Sequence, residues 1–298
     1  MPDPTVETTE EAILLEVLAS LHPTAKRNSL RRMVDHGRVR VDGDKATRAN
    51  MKVRKGSLVE VLSKADGDKP QTKPKQAIPE PDILYFDEEV ILANKPAGLL
   101  SVATDRGELD TMFDRVAKWA WVNGKTRTHL VHRLDKETSG CMIFARSTET
   151  KDMLQKQFKE RSVERIYHAV VHREPFEESG TIKLRILETK DKRVRLVENG
   201  RRGGREAITH WQKEKVGPEH SLIRIKIDTG RRAQIRLHMQ HLGCPVAGDT
   251  RHGFGKASVN RLCLHATSLS FNHPDGERMS IGSEIPSQLF SELNRRYN

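Results

Sequence analysis

The chain has 298 residues, of which 52 are Lys or Arg and 41 are Asp or Glu, so its formal net charge is +11. This excess of positive charge favours a polyanionic partner, with nucleic acid as the leading candidate, over an acidic small molecule. Only 5% of the residues are aromatic. A charged groove with one specific pocket therefore fits the composition better than a surface that stacks many successive bases.

The cysteines and histidines give no metal or disulfide pattern. Cys141, Cys244 and Cys263 form no CxxC pair, which argues against a disulfide framework and a zinc ribbon. His238 and His241 form an HxxH rather than an HExxH pattern, so we expect no metal site. The chain also has no long apolar run, and we expect no export leader because its first residues lack the basic and apolar regions of one. We expect a cytoplasmic protein with reduced thiols and no membrane association.

The first sixty residues predict a small unit of two helices and a hairpin. Thr8 and Glu11 have the spacing of a capping box for the first helix. A second helix is predicted over residues 24–36, with its basic side chains facing outward. Asp42 and Gly43 then predict a hairpin turn between two strands.

This unit resembles the alpha-L RNA-binding domain of the ribosomal protein S-four type, over residues 11–63. The resemblance rests on P-T-A-K-R-N-S-L-R-R-M-V-D-H-G-R-V-R-V-D-G, from residue 23 to residue 43. It implies that Lys26, Arg27, Arg31 and Arg32 lie on phosphates of structured RNA. The alternative is an ordinary solvated helix face. Residues 64–81, which are rich in proline and charge, are predicted to be a linker.

The remaining part of the chain, residues 82–298, is predicted to be a second, larger domain. Its patterns predict a hairpin over 83–93, helices over 110–121 and 231–242, and strands over 165–171 and 223–227. Because strands outnumber helices and many are linked by hairpins, we predict an α+β fold with a mixed, largely antiparallel sheet.

The segment 183–205 is strongly basic, with nine basic and three acidic residues. We interpret it as a β-ribbon or a mobile loop that is a candidate arm for holding RNA. The alternative is a solvated surface hairpin.

One carboxylate is a candidate for chemistry. Asp135 lies between Arg133 and Lys136, and neighbouring cations favour the charged form, which suits a nucleophile or a base better than an acid. An ion pair on a surface loop is the alternative. The chain has no Walker A loop, no G-x-S-x-G elbow and no kinase catalytic set. A hydrolytic glycosidase would need a second, protonated carboxyl group, which no pattern supplies.

The larger domain resembles the RluA-type family of pseudouridine synthases, and the resemblance implies the fold of that family. It rests on six blocks in the order of the family: N-K-P-A-G-L-L-S (94–101), V-H-R-L-D-K-E-T-S-G (131–140), R-I-Y-H-A-V-V (165–171), G-R-R-A-Q-I-R-L-H (230–238), L-G-C-P-V-A-G-D (242–249) and L-C-L-H-A-T-S-L-S-F-N-H-P (262–274).

The resemblance implies isomerisation of uridine to pseudouridine in RNA, which requires no cofactor. It makes Asp135 the essential carboxylate, either as a nucleophile or as the acceptor of a sugar proton. Tyr167 would stack on the base, and Arg236 would pair with the catalytic carboxylate. Arg133 would fill the gap left by the flipped uridine, and Leu264 would pack against the uracil.

Two positions depart from the family pattern, and they leave the target uridine open. The chain has Ala233 where the family usually has His, and His252 where it usually has Tyr. We expect a monomer that acts on ribosomal RNA, with transfer RNA as a further candidate. A catalytically silent RNA-binding or ribosome-assembly factor is the alternative function. A hydrolase of N-glycosides, which would release free uracil, is the third.

Overall fold

The computed structural model divides the chain into two compact units, residues 1–77 and residues 78–298. It describes residues 5–63, 78–104, 108–189, 191, 193–197, 203–254 and 260–296. Most of the linker predicted over residues 64–81 therefore lies outside the described residues, and the predicted domain boundaries stay a prediction.

The first unit combines two helices with short strands. In chain order the elements are β1 (Thr5–Glu7), β2 (Ala12–Ile13), α1 (Leu14–Leu21), α2 (Arg27–Asp35), β3 (Val39–Val41), β4 (Asp44–Lys45), β5 (Lys52–Val53) and β6 (Leu58–Val61). β6 lies between β1 and β3, β4 continues that sheet beside β3, and β2 pairs with β5.

The core of the first unit lies where the helices meet the sheet. α1 and α2 bury Leu14, Leu18 and Leu30 against strand residues that include Val39 and Val59. The apolar spacing along each helix gives it one buried face, which is why both helices form. The predicted hairpin joins β3 to β4 through a turn whose two residues have φ angles of 55° and 84°, as a type I′ turn requires.

The predicted capping box at the start of α1 is wrong. The Thr8 hydroxyl donates to the carbonyl oxygen of Ser57 at 3.1 Å, and Glu11 forms an ion pair with Lys52 at 2.7 Å. α1 begins only at Leu14, without a side-chain cap. The two side chains that the sequence pattern assigned to the helix end are therefore bound by residues more than forty positions later in the chain.

The second unit is built around one large sheet. Its elements are β7 (Asp82–Phe86), β8 (Val90–Lys95), α3 (Met112–Gly124), β9 (His129–Leu130), β10 (Ser139–Ala145), α4 (Thr148–Lys159), β11 (Glu164–His172), β12 (Ser179–Glu188), β13 (Val194–Val197), β14 (Arg205–Val216), β15 (His220–Ile227), α5 (Gln234–His241), β16 (Leu264–Asn272), β17 (Arg278–Gly282) and α6 (Ser287–Leu293). Among the described residues, no helix has both the length and the apolar character needed to span a membrane.

The strand order of this sheet is β13-β12-β14-β15-β11-β16-β10-β8-β7, with β17 beside β16 and β9 beside β10. Among the described strand pairs, only β10 with β16 is parallel. The predicted α+β fold with a mixed, largely antiparallel sheet is confirmed.

The parallel contact between β10 and β16 requires a glycine. Gly140 has a φ of 115°, and a Cβ added there would lie 2.1 Å from the carbonyl oxygen of Ala266. Any other residue would push the two strands apart. This contact fixes where the loop before β10, which carries Asp135, meets the centre of the sheet.

The sheet is buried on both faces along β10. Met142 and Phe144 face one core, into which α3 and α5 also pack, whereas Cys141 and Ile143 face a second core that contains Leu154 of α4. This alternation follows from the two-residue repeat of a strand.

The basic segment 183–205 forms a ribbon where it is described. β12 pairs with β13 on one side and with β14 on the other. Residues 190, 192 and 198–202 lie outside the described residues. The role of this segment as an arm for RNA stays a prediction.

Candidate active site

The loop that carries Asp135 runs between β9 and β10 and is held by backbone contacts. The hydroxyl of Ser101 donates to the carbonyl oxygen of Leu134 at 2.7 Å and accepts from the Leu134 N–H at 3.0 Å. The Gly98 N–H donates to the carbonyl oxygen of Lys136 at 2.9 Å. The residues on both sides of Asp135 are therefore fixed to the segment that follows β8.

A buried lysine lies beneath this loop. Lys95 is fully buried at the end of β8, and its ammonium donates to the carbonyl oxygens of Pro96, Leu99 and Lys136 at 2.9, 2.7 and 3.0 Å. Burial lowers the pKa of Lys95 to about 7, although the charges of Glu137 and then Asp135 act in the opposite direction. Lys95 belongs to the block N-K-P-A-G-L-L-S, but no role was predicted for it. The available signal was a lysine at the end of a strand that begins with four apolar residues.

Asp135 is half-buried and receives a hydrogen bond from the start of α5. The backbone N–H of Ala233 donates to Asp135 Oδ2 at 3.2 Å. Ala233 has φ 51° and ψ 24°, in the left-handed region. The helix predicted from residue 231 therefore starts only at Gln234, and its positive end faces the carboxylate. Because the donor is a backbone group, the departure from the family His does not remove it.

Arg236 has a different hydrogen-bonding partner from the predicted one. Its Nε and Nη2 donate to the two carboxylate oxygens of Asp249 at 2.7 and 2.6 Å. Asp249 also accepts from the backbone N–H groups of Arg251 and His252, each at 2.9 Å. The buried carboxylate of Asp249 thus saturates one side of the guanidinium, and the predicted direct pair of Arg236 with Asp135 is replaced by a pair with Asp249.

The two carboxylates nevertheless share one cation. Burial lowers the pKa of Arg236, but the hydrogen bond and charge of Asp249, followed by the charge of Asp135, together raise it above its ordinary value. Arg236 is consequently positive at any physiological pH, and its charge reaches the candidate catalytic carboxylate without a direct bond.

Tyr167 lies in the middle of the sheet on β11, where it pairs with Ile225 on β15 and with Ala266 on β16. It is 7% exposed. Burial raises the pKa of its hydroxyl; the charge of Arg165 opposes this rise and that of Asp135 adds to it. The hydroxyl therefore carries its proton at neutral pH.

The two predicted substrate contacts differ in exposure. Arg133 is exposed on the loop, two residues before Asp135. Leu264 is buried at the start of β16, paired with Ala169 of β11. Arg133 is therefore free to reach a bound RNA, whereas Leu264 is part of the wall of the sheet.

A hydrogen-bonded chain joins the end of the loop to β16. Arg261 donates to the Ser139 hydroxyl at 2.6 Å, and this hydroxyl lies 2.8 Å from Nδ1 of His265. On the other side of the ring, Nε2 of His265 lies 2.8 Å from the hydroxyl oxygen of Ser283. Burial lowers the pKa of His265 to about 4, so the ring is neutral.

In the first unit, the predicted RNA contacts lie along α2, from Lys26 just before its first residue to Arg32 in its last turn. Lys26, Arg27 and Arg32 are exposed, and Arg31 is partly exposed with a 3.4 Å hydrogen bond to Asn28. They give α2 a basic surface, and their contact with RNA phosphates stays a prediction.

The described residues contain no group of three or more His, Cys, Asp or Glu side chains that could hold a metal ion. His238 of the HxxH pattern is fully buried, and burial lowers its pKa to about 4.

Comparisons with known proteins cover both units. A family model described as RNA pseudouridylate synthase matches residues 89–241, and a model described as S4 domain matches residues 14–59. The chain is 32% identical over 282 residues to an uncharacterized RNA pseudouridine synthase, YlyB, of Bacillus subtilis, covering 91% of this chain and 90% of that protein.

Two further relatives extend the comparison. The chain is 34% identical over 296 residues to the ribosomal large subunit pseudouridine synthase D of Neisseria meningitidis serogroup A, covering 93% of this chain and 77% of that protein. A solved structure, human RNA pseudouridylate synthase domain containing 4, superposes with a TM-score of 0.61 at 25% identity, covering 71% of this chain and 91% of that one.

Proposed function

Because the chain belongs to the RNA pseudouridylate synthase family and carries an N-terminal S4 domain, we propose that Asp135 is the essential carboxylate with which it converts specific uridines of structured RNA to pseudouridine. The family matches confirm both resemblances, to the RluA-type pseudouridine synthases and to the S-four type RNA-binding domain, and the chain is an isomerase that acts on RNA. The observation that carries the proposal is the position of Asp135, which accepts the Ala233 N–H at 3.2 Å and lies within electrostatic reach of Arg236 and Tyr167.

Asp135 has two chemical routes open to it. As a nucleophile it attacks the sugar or the base, and as a base it takes a sugar proton and gives a glycal. Either route breaks the glycosidic bond to nitrogen, lets the uracil turn, and rejoins it through its carbon 5, which then loses its proton. Both routes need a charged carboxylate, which the Ala233 N–H, the helix start and the positive Arg236 stabilise.

Tyr167 has a complementary role in this proposal. Its buried ring offers a flat apolar surface for the uracil, and its protonated hydroxyl can assist the late loss of the proton from carbon 5. Leu264, on the neighbouring strand, also packs against the uracil. The uridine must leave its stack to reach this pocket.

The target is proposed to be ribosomal RNA. One relative, the Neisseria meningitidis protein, is a ribosomal large subunit pseudouridine synthase. The basic face of α2 adds a second contact that structured RNA can satisfy.

The test of this function uses RNA labelled with tritium at carbon 5 of uracil. Isomerisation releases one tritium for each pseudouridine formed, whereas hydrolysis of the glycosidic bond releases labelled free uracil. We expect tritium release and pseudouridine in the digested RNA. Free uracil would support the hydrolase instead, and tight binding with neither product would support a silent RNA-binding factor.

Arg133→Ala should reduce uridine capture more than folding. Arg133 is exposed, so the free energy of unfolding should change by less than about 0.5 kcal/mol. Extruding a base costs a few kcal/mol, so loss of the side chain that fills the gap should lower kcat/KM by roughly tenfold or more. Lys136→Ala, which removes the exposed cation on the other side of Asp135, is the matched control. Equal activity of the Arg133 variant and wild type would refute the wedge role.

The α2 face can be tested by salt dependence. Changing Arg27, Arg31 and Arg32 together to Ala should weaken RNA binding and reduce the slope of log K against log salt by roughly two to three. A control that changes Arg48, Arg54 and Lys55 to Ala removes the same charge from loops of the same unit. If both triple variants lower the slope equally, α2 has no specific part in binding.

A further inference from the structure

The outer face of α3 exposes a tryptophan between two lysines. Lys118, Trp121 and Val122 follow the spacing that places residues on one side of a helix, Lys125 comes directly after the last helical residue, and all four are exposed. Trp121 is 56% exposed and Val122 is 64% exposed. We call these four residues the α3 stripe.

The exposure of Trp121 is not needed for packing. α3 already buries Met112, Val116 and Ala120 against the sheet. The other two tryptophans are covered: Trp211 is only 4% exposed, and Trp119 packs edge-on against Phe86 with ring centroids 5.0 Å apart. A chain with few aromatic residues thus leaves its one largely exposed indole in a cationic setting, which indicates a binding role rather than a core role.

The charges around Trp121 favour an anionic partner. The ammonium of Lys125 lies 5.7 Å from the centroid of the indole ring, and Lys118 lies one turn earlier. Within the part of the chain that the structure describes, Lys118 makes a long, 3.4 Å hydrogen bond to the carbonyl oxygen of Ile78. Arg127, just beyond the helix, is also exposed. A flat ring bordered by cations matches the combination that holds single-stranded nucleic acid.

The stripe is connected to the candidate active site through the start of α3. The N–H groups of Met112 and Phe113 donate to the carbonyl oxygens of Leu100 and Ser101, and Ser101 in turn holds Leu134, the residue before Asp135. Nine residues separate Met112 from Trp121, which is about 14 Å along a helix.

We propose that the α3 stripe binds the RNA strand that flanks the target uridine, with one unpaired base stacked on Trp121 and the neighbouring phosphates on Lys118 and Lys125. The proposal rests on the RNA substrate of the proposed function and extends it to a second contact outside the pocket. Stacking on an indole tolerates any base, so this contact adds affinity and sets the path of the strand but does not select a sequence.

Kinetics of full-length Trp121→Ala, Trp121→Phe and Phe176→Ala test the proposal. Phe176 is 96% exposed in the loop between β11 and β12 and serves as the control for loss of an exposed ring. Trp121→Ala should raise KM for the RNA by roughly 5- to 150-fold with kcat unchanged. Trp121→Phe should retain most of the affinity, and Phe176→Ala should behave as wild type. Changing Lys118 and Lys125 to Ala should lower the salt slope by roughly 1.5.

Fluorescence separates this proposal from the catalytic one, because it requires binding but no turnover. RNA should quench the tryptophan emission of the wild type, and the quenching should largely vanish in Trp121→Phe while the RNA remains bound. An unchanged KM for Trp121→Ala, or equal quenching in both proteins, would overturn the proposal. So would a change in oligomeric state by sedimentation on Trp121→Ala, which would identify the stripe as a protein contact. Absence of pseudouridine with intact quenching would refute the catalytic role alone.

Discussion

Asp135→Asn should abolish pseudouridine formation while leaving the fold intact. The amide keeps an oxygen that accepts the Ala233 N–H, which in the wild type lies 3.2 Å from the carboxylate. It cannot take a proton or attack carbon as a carboxylate does, so kcat should fall by at least about 10² to 10⁴-fold. Because the side chain is only half-buried, the free energy of unfolding should change by less than about 1 kcal/mol. Single-turnover tritium release and urea unfolding measure the two effects.

The neighbouring carboxylate provides the matched control. Glu137 is exposed two residues further on in the same loop, and Glu137→Gln removes the same charge without touching the proposed nucleophile. It should retain activity within a few-fold of wild type. If Asp135→Asn kept a substantial part of the wild-type rate, or if Glu137→Gln lost as much activity, the carboxylate would be wrongly assigned. RNA binding should survive in both variants, because the phosphate contacts lie elsewhere.

The sheet could be predicted from the sequence because its strands carry a strong local signal. In β15, for example, Ile223, Ile225 and Ile227 alternate with charged residues, and this alternation predicted the strand that the structure contains. The starts of α1 and α5 could not be predicted in the same way. Each depends on a distant partner: the Thr8 side chain is bound by a loop some fifty residues later, and Ala233 adopts its left-handed conformation opposite Asp135. Local patterns contain no information about such contacts.

In the candidate site, too, the sequence predicted the features that depend on local residues but not those that depend on distant partners. A motif placed Asp135 between cations, and the structure keeps it on an accessible loop. The partner of Arg236 could not be predicted, because it is decided by how the folded chain brings the carboxylates near the guanidinium. Asp249, thirteen residues further along the chain, forms the pair, whereas Asp135 lies in the loop between β9 and β10. The support from Lys95 was equally hidden, since its acceptors are three backbone carbonyl groups. A hydrogen bond to a backbone carbonyl group cannot be predicted from the pattern of side chains.

Asp249→Ala should destabilise the catalytic unit strongly. Arg236 is 8% exposed, and its two charged hydrogen bonds to Asp249 are 2.7 and 2.6 Å long. Removing one partner leaves a buried cation without its counter-ion, which typically costs 3–5 kcal/mol. We expect a loss of about that size in the free energy of unfolding, measured by urea denaturation of the full chain, and a loss of activity that follows from it.

A double variant separates the effect of charge from the effect of packing at the pair of Arg236 and Asp249. Replacing a buried ion pair by apolar residues of similar size is often neutral or stabilising. Arg236→Met combined with Asp249→Leu should therefore regain much of the stability lost in Asp249→Ala, yet remain inactive, because Asp135 loses the charge of Arg236. If Asp249→Ala were mild and Asp135→Asn were the destabilising change, Arg236 would pair with Asp135 in solution. Recovery of activity in the double variant would instead show that catalysis does not need the charge of Arg236.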